Sequence, residues 1–229
     1  MFLHISKCLI IIFSITFNVL AFSSQEEQPS NCNQTLSSAM QYYDEGKYLE
    51  SKHIFEQEAE KGDAKAQFFL AGFYAQGLGV KKDDQKSFYW MKKCALQDLV
   101  PAQYILGIMY YNGEGVEKDL KQAFFWCEKA AMQGLSESQG RLGKMYYHGH
   151  GTEVNYLQAK HWFEKAANEK NGKSMYYLGR IYNEALGVNR DVEKAIKWLV
   201  EALGNGDFRA FQELTKMKEN GDIGVGFSF

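Results

Sequence analysis

The sequence predicts an all-α fold, an α-α superhelix (solenoid) of stacked 36-residue helix-pair repeats. Three observations predict it. First, "LGIMYYNGEGVEKDLKQAFFWCEKAA" from Leu106 recurs one interval earlier as "LAGFYAQGLGVKKDDQKSFYWMKKCA". It recurs later as "LGKMYYHGHGTEVNYLQAKHWFEKAA" and "LGRIYNEALGVNRDVEKAIKWLVEAL". Second, the tryptophans Trp90, Trp126, Trp162 and Trp198 hold this spacing, as do Tyr74, Tyr110, Tyr146 and Tyr182. Third, apolar residues inside each unit follow helical spacing. A fixed period of about 20–50 residues marks a stacked-repeat architecture.

The chain opens with a leader. Residues 1–21 carry one Lys, an apolar run from Cys8 to Leu20 and then small residues, with no acidic residue before Glu26. That is the pattern of a secretory signal peptide. Cleavage is expected after Ala21, or after Ser23. The apolar run is shorter than the ~20 residues that span a bilayer, so no stable membrane span is expected after cleavage; an uncleaved anchor is the alternative. Residues 22–33 read as a flexible linker, and Asn33-Gln34-Thr35 matches a glycosylation sequon.

One repeat shows how the rest are built. Ala102, Leu106 and Tyr110 form one helical stripe. Gly113 ends that helix in the left-handed conformation a C-cap needs, and Gly115 permits a second sharp turn that folds Val116 inward. Asp119 starts the next helix; its counterparts are Asp83, Asn155 and Asp191, side chains that accept hydrogen bonds from free N–H groups at a helix start. Ala123, Trp126 and Ala130 then form the stripe of the second helix. Helix pairs should therefore break at Gly77–Val80, Gly113–Val116, Gly149–Thr152 and Ala185–Val188. A modest strain is expected at Ala185, which stands where the other repeats have glycine.

The segment "AQYILGIMYYNGEGVEKDLKQAFFWCEKAAMQG" from Ala102 to Gly134 resembles the Sel-one-like repeat (SLR), a branch of the tetratricopeptide superfamily. The resemblance runs strongly from Ala66 to about Gly206 and implies a right-handed superhelix. Four repeats are expected at about 63–98, 99–134, 135–170 and 171–206. Residues 34–62 look like an N-terminal tetratricopeptide-like capping pair. Residues 207–220 look like a C-terminal capping helix, leaving a tail at 221–229.

Composition narrows the function. With 26 basic and 28 acidic residues the net charge is −2, which argues against a general nucleic-acid binder. No Ser-x-x-Lys, His-Glu-x-x-His or Gly-x-Ser-x-Gly motif occurs, and "GLSES" at Gly134 lacks the last glycine. The Gly-x-Gly pairs lie between helices, not after a strand, and so read as caps; no cofactor is expected. His148, His150 and His161 lack the carboxylate or Cys that would complete a zinc spacing, so no metal is expected. Without the leader, Cys32, Cys94 and Cys127 remain. Cys94 and Cys127 read as small buried core residues, with a disulfide between them as the alternative in an oxidising compartment.

In tetratricopeptide-like solenoids the first helix of each pair lines the concave face. Carried over by register from the "LG" pair, the resemblance picks Phe68, Tyr104 and Tyr176 at one level, with Gly140 as a gap. Ile108, Lys144 and Arg180 lie one turn on, and Tyr111 and Tyr147 at the next. Aromatics and Arg are common interface anchors. Lys144 and Arg180, with Lys173 close by in sequence, predict a basic end in the later repeats, suited to an acidic peptide group. The resulting expectation is an exported scaffold or adaptor, periplasmic or secreted from a bacterium. It would bind a protein, a peptide or a cell-wall component on its concave face. The alternative is a β-lactamase-like or penicillin-binding hydrolase related to cysteine-rich members of the family, although this chain lacks their cysteine pair in each repeat.

Overall fold

The computed structural model describes residues 31–224. The leader, nearly all of the linker, the side chain of Cys32 and the end of the tail lie outside the described residues or side chains. The described residues form eleven helices and no strand. They fall into two compact units, one up to Lys118 and one from Asp119.

The first unit holds α1 (Asn31–Asp44), α2 (Tyr48–Glu60), α3 (Ala64–Gln76), α4 (Asp84–Ala95) and α5 (Val100–Asn112). Each helix packs on the next in sequence. Phe55, Phe68, Leu70, Phe73 and Ile105 are fully buried in its core. The second unit holds α6 (Leu120–Met132), α7 (Ser136–His148), α8 (Tyr156–Asn168), α9 (Gly172–Asn183), α10 (Val192–Gly204) and α11 (Arg209–Glu219). Here too successive helices pack together, and α7 also touches α9. Its core is built on Phe163, Leu178, Ile181, Leu199 and Leu214. Packing of each element on its sequence neighbour is what makes an all-α solenoid.

The helices begin and end for the predicted reasons. The Asp83 carboxylate accepts a hydrogen bond from Lys86 N at 2.9 Å. Asp119 accepts from Lys121 N at 2.9 Å and Gln122 N at 3.0 Å. Asn155 accepts from Gln158 N at 3.0 Å, and Asp191 from Lys194 N at 2.9 Å. The same residues close the turn from the other side. The N–H groups of Asp83, Asn155 and Asp191 donate to the carbonyls of Tyr74, Tyr146 and Tyr182. One residue thus caps a helix and ties it back to its partner; the side-chain cap is the part that calls for Asp or Asn, since any residue but Pro could make the backbone bond.

Gly77, Gly113 and Gly149 end their helices with φ of 72°, 78° and 71°. In the last repeat α9 runs to Asn183 and Ala185 takes the left-handed conformation at φ 58°. That conformation costs an L-residue about 1–2 kcal/mol, the local strain the sequence predicts. The "LG" pairs have a packing reason as well. A Cβ on Gly143 would lie 2.7 Å from the Phe163 ring, and one on Gly179 would lie 2.5 Å from Leu199. Their hydrogen-only surface lets the second helix of each pair seat a large apolar residue against the first.

Candidate functional site

The predicted groove residues divide by burial. Phe68 is fully buried in the first unit, and Tyr104 and Ile108 are also buried. Their side chains build core, which takes them off the accessible face. Tyr111 is half-buried, with the Lys118 ammonium 5.6 Å from its ring centre. In the second unit Tyr147 is 7% exposed and packs edge-on against Tyr156 at 5.3 Å and Tyr177 at 5.1 Å. Burial pushes its phenol up to about 12, with the Arg180 charge acting in the opposite sense. Tyr147 is therefore a neutral packing residue. Gly140 is no gap in a groove: a Cβ there would lie 2.9 Å from Ser174 Oγ and 3.4 Å from the Asn171 amide, so it is a close-approach point between α7 and α9.

The remaining predicted residues lie on α7 and α9, beside Arg209 at the start of α11. Lys144, on α7, is exposed at the residue level, and its ammonium sits 5.8 Å from the Tyr177 ring centre. Its pKa is lowered by loss of hydration and then by the charges of Arg141, Arg209 and Lys173, with only Asp207 acting to raise it. Tyr176 is half-buried, and the Arg209 guanidinium stacks over it at 4.3 Å from the ring centre. Arg180 is not a free cation. It pairs with Glu184, one turn along α9, at 2.6 and 2.7 Å, and its guanidinium lies 5.8 Å from the Tyr147 ring.

Beside this cluster lies a pocket of about 540 Å³ lined by Lys144, Asn171, Gly172, Lys173, Asn205, Gly206, Asp207 and Arg209. Two helix starts frame it. Asn171 caps α9, accepting from Ser174 N at 3.1 Å. Asp207 holds Arg209 at the start of α11, accepting from the Arg209 backbone N–H at 3.2 Å and from Nε at 2.8 Å, with Nη2 bonded to its other oxygen. Burial works to raise the Asp207 carboxyl, but the bonds and charge of Arg209 outweigh it and hold the group below its ordinary value. The one acid in the pocket is thus committed to Arg209. Lys144 and Lys173 feel the Asp207 charge from a distance, without being the cation it bonds.

Cys94 and Cys127 are both free and buried, and burial pushes each thiol up to about 12. Such thiols are inert towards nucleophilic chemistry at neutral pH. His148 and His150 stack on each other at 5.4 Å between ring centres. Among the described residues no group of three or more His, Cys, Asp or Glu is placed to hold a metal ion.

The pattern of the Sel1 repeat matches residues 64–99, 100–135, 136–171 and 172–207, well over half of the chain. The chain belongs to the Sel1 repeat family. The Sel1 repeats start one residue later than the sequence period places them. A solved structure of a protective antigen present in uropathogenic Escherichia coli strains, displaying an SLR fold, is 37% identical with a TM-score of 0.70. That match covers 74% of this chain and 36% of the antigen, so the chain spans well under half of that relative's length. A Sel1 repeat protein from Oxalobacter formigenes is 31% identical with a TM-score of 0.71, covering 80% of this chain and 74% of that one. None of the curated proteins matches the chain.

Sel1-repeat proteins are helical repeat scaffolds that commonly mediate protein–protein interaction. No helix among the described residues is long and apolar enough to cross a membrane. Sequence reasoning passed over Arg209, Asp207, Asn171 and Asn205. A signal was available in the Sel1 register: Arg209 falls one period after Lys173, and Asp207 one period after the cap Asn171. Following the period past Gly206 into α11 would have found the second half of the pocket.

Proposed function

We propose that the chain is an exported scaffold that holds an acidic segment of a protein or peptide partner on the face formed by α7, α9 and α11. The observation that carries this reading is the concentration of cations over aromatic rings there. Lys144, Lys173 and Arg209 gather around one committed acid, and the Arg209 guanidinium sits over the Tyr176 ring. A positive surface with stacked aromatic contact area suits an extended acidic chain, because guanidinium groups grip carboxylates in two places and Tyr supplies rigid area. Arg180 joins by exchanging its exposed partner Glu184 for a partner carboxylate. An exposed ion pair of this kind is worth only about 0–1 kcal/mol, so the exchange is inexpensive.

The test uses the double variant Lys144→Glu, Arg180→Glu, with a fluorescently labelled Glu-rich decapeptide and a pull-down from envelope extract. The variant should fold as well as wild type, since surface substitutions usually change stability little. It should lose both the peptide and the salt-sensitive partners. Undiminished peptide affinity, with the same partners and the same salt dependence, would remove this face as the binding site.

Export is supported by the pattern of residues 1–21, which lies outside the described residues. N-terminal sequencing of the protein from its native host should return a chain starting at Phe22 or Ser24. An intact Met1 on soluble cytoplasmic protein would refute export.

A further inference from the structure

The pocket at the head of this face has a composition that a simple carboxylate does not exhaust. Three cations line it and one carboxylate offsets them, so it carries an excess of two positive charges. Lys144 reaches it from α7, Lys173 from α9 and Arg209 from α11. Asp207 fixes Arg209 through one guanidinium edge, Nε and Nη2, and the backbone N–H, which holds that cation in place. Asn171, Gly172, Asn205 and Gly206 complete the lining. Gly172 is tightly fitted there, since a Cβ would lie 2.6 Å from the Asn205 carbonyl oxygen.

We infer that this pocket is a binding site for a phosphoryl monoester dianion, held by Lys144, Lys173 and Arg209. The inference rests on the acidic-ligand reading of the same face and narrows it to one charged group. A phosphate monoester carries about −1.5 to −2 charge at neutral pH and three acceptor oxygens, against one charge and two oxygens for a carboxylate. It matches the excess charge and gives each of the three cations an oxygen of its own. The pocket volume exceeds what a lone oxyanion fills, so the group would arrive on a larger body, either a modified side chain or a phosphorylated small molecule.

The experiment is a set of ¹H–¹⁵N NMR titrations of the full chain with four probes: inorganic phosphate, glucose 6-phosphate, the tripeptide Gly-phosphoserine-Gly and its counterpart Gly-Glu-Gly. The phosphorylated probes should give saturable shifts centred on the amides of Gly172, Lys173 and Gly206. At least one should bind about tenfold or more tightly than Gly-Glu-Gly, the scale of one added charge-assisted hydrogen bond. Stronger binding of the phosphotripeptide points to a modified protein as the source, and stronger binding of the sugar phosphate to a small molecule. Affinity should fall as pH drops below about 6, where the dianion takes up a proton. Lys173→Gln should weaken phosphate binding. Titrating the wild-type chain in parallel with the Glu-rich decapeptide separates this inference from the reading it rests on, because a bound decapeptide with no preference for the phosphorylated probes overturns the phosphoryl assignment alone. Equal affinity for Gly-Glu-Gly and the phosphorylated probes, or no saturable shift at the pocket amides, would overturn the phosphoryl assignment.

Discussion

Trp162→Ala is expected to cost about 3–5 kcal/mol of stability, the range for truncating a buried aromatic. Trp162 is 8% exposed and sits in a cluster with Ala131 and Leu142, with Phe124 and Tyr146 at its edge. Those residues lie on α6 and α7, whereas Trp162 lies on α8. Removing the indole therefore opens a void where the second helix of one repeat meets both its own partner helix and the repeat before it. Because repeats are stabilised mainly through neighbours, the loss should also make unfolding less cooperative. The Lys165 ammonium, 4.6 Å from the ring centre, loses its aromatic seat as well. Trp198 occupies the same register position but is only half-buried. Trp198→Ala should accordingly cost clearly less than Trp162→Ala in the same urea titration. Equal losses at the two sites would mean that burial in this interface does not set the energy.

The comparison of the two tryptophans marks where the sequence was legible. Period, helix boundaries and caps are local properties. They depend on glycine at positive φ, on Asp or Asn accepting from free N–H groups and on apolar stripes, and each of these can be read one repeat at a time. The candidate site was only half legible. Lys144 and Arg180 were found because register alone places them on the same level. Tyr104, Ile108 and Tyr147 were assigned to an open face from the same register and lie buried instead. Position within a repeat does not say how far the neighbouring repeat covers a side chain. Arg209 escaped notice because α11 lacks the Trp and glycine signature, although the period continues through it. The commitment of Asp207 to Arg209, and of Arg180 to Glu184, is a matter of side-chain geometry that spacing does not reveal.

Gly115 and Gly151 hold a second lesson of this kind, and substituting either should have an effect comparable to losing the tryptophan. Sequence reasoning gives the second glycine of each turn a conformational role, and it does adopt positive φ, 71° at Gly115 and 77° at Gly151. The larger constraint is the neighbouring repeat. A Cβ on Gly151 would lie 2.0 Å from the carbonyl oxygen of Leu120, at the start of α6, and one on Gly115 would lie 1.9 Å from that of Asp84, at the start of α4. Backbone therefore packs on backbone between successive repeats, with no flexible side chain to give way. For Gly151→Ala the left-handed conformation costs about 1–2 kcal/mol. Relieving the contact should add about 1–3 kcal/mol, the scale of overpacking. Gly134→Ala isolates the first contribution, because Gly134 has φ 92° and a Cβ there would meet nothing within 4 Å. In chemical denaturation Gly151→Ala should lose roughly twice the stability that Gly134→Ala loses, following the sum of those two contributions. If the two variants unfold at the same denaturant concentration, the turns of successive repeats are not in backbone contact. The glycine would then serve only to reverse the chain.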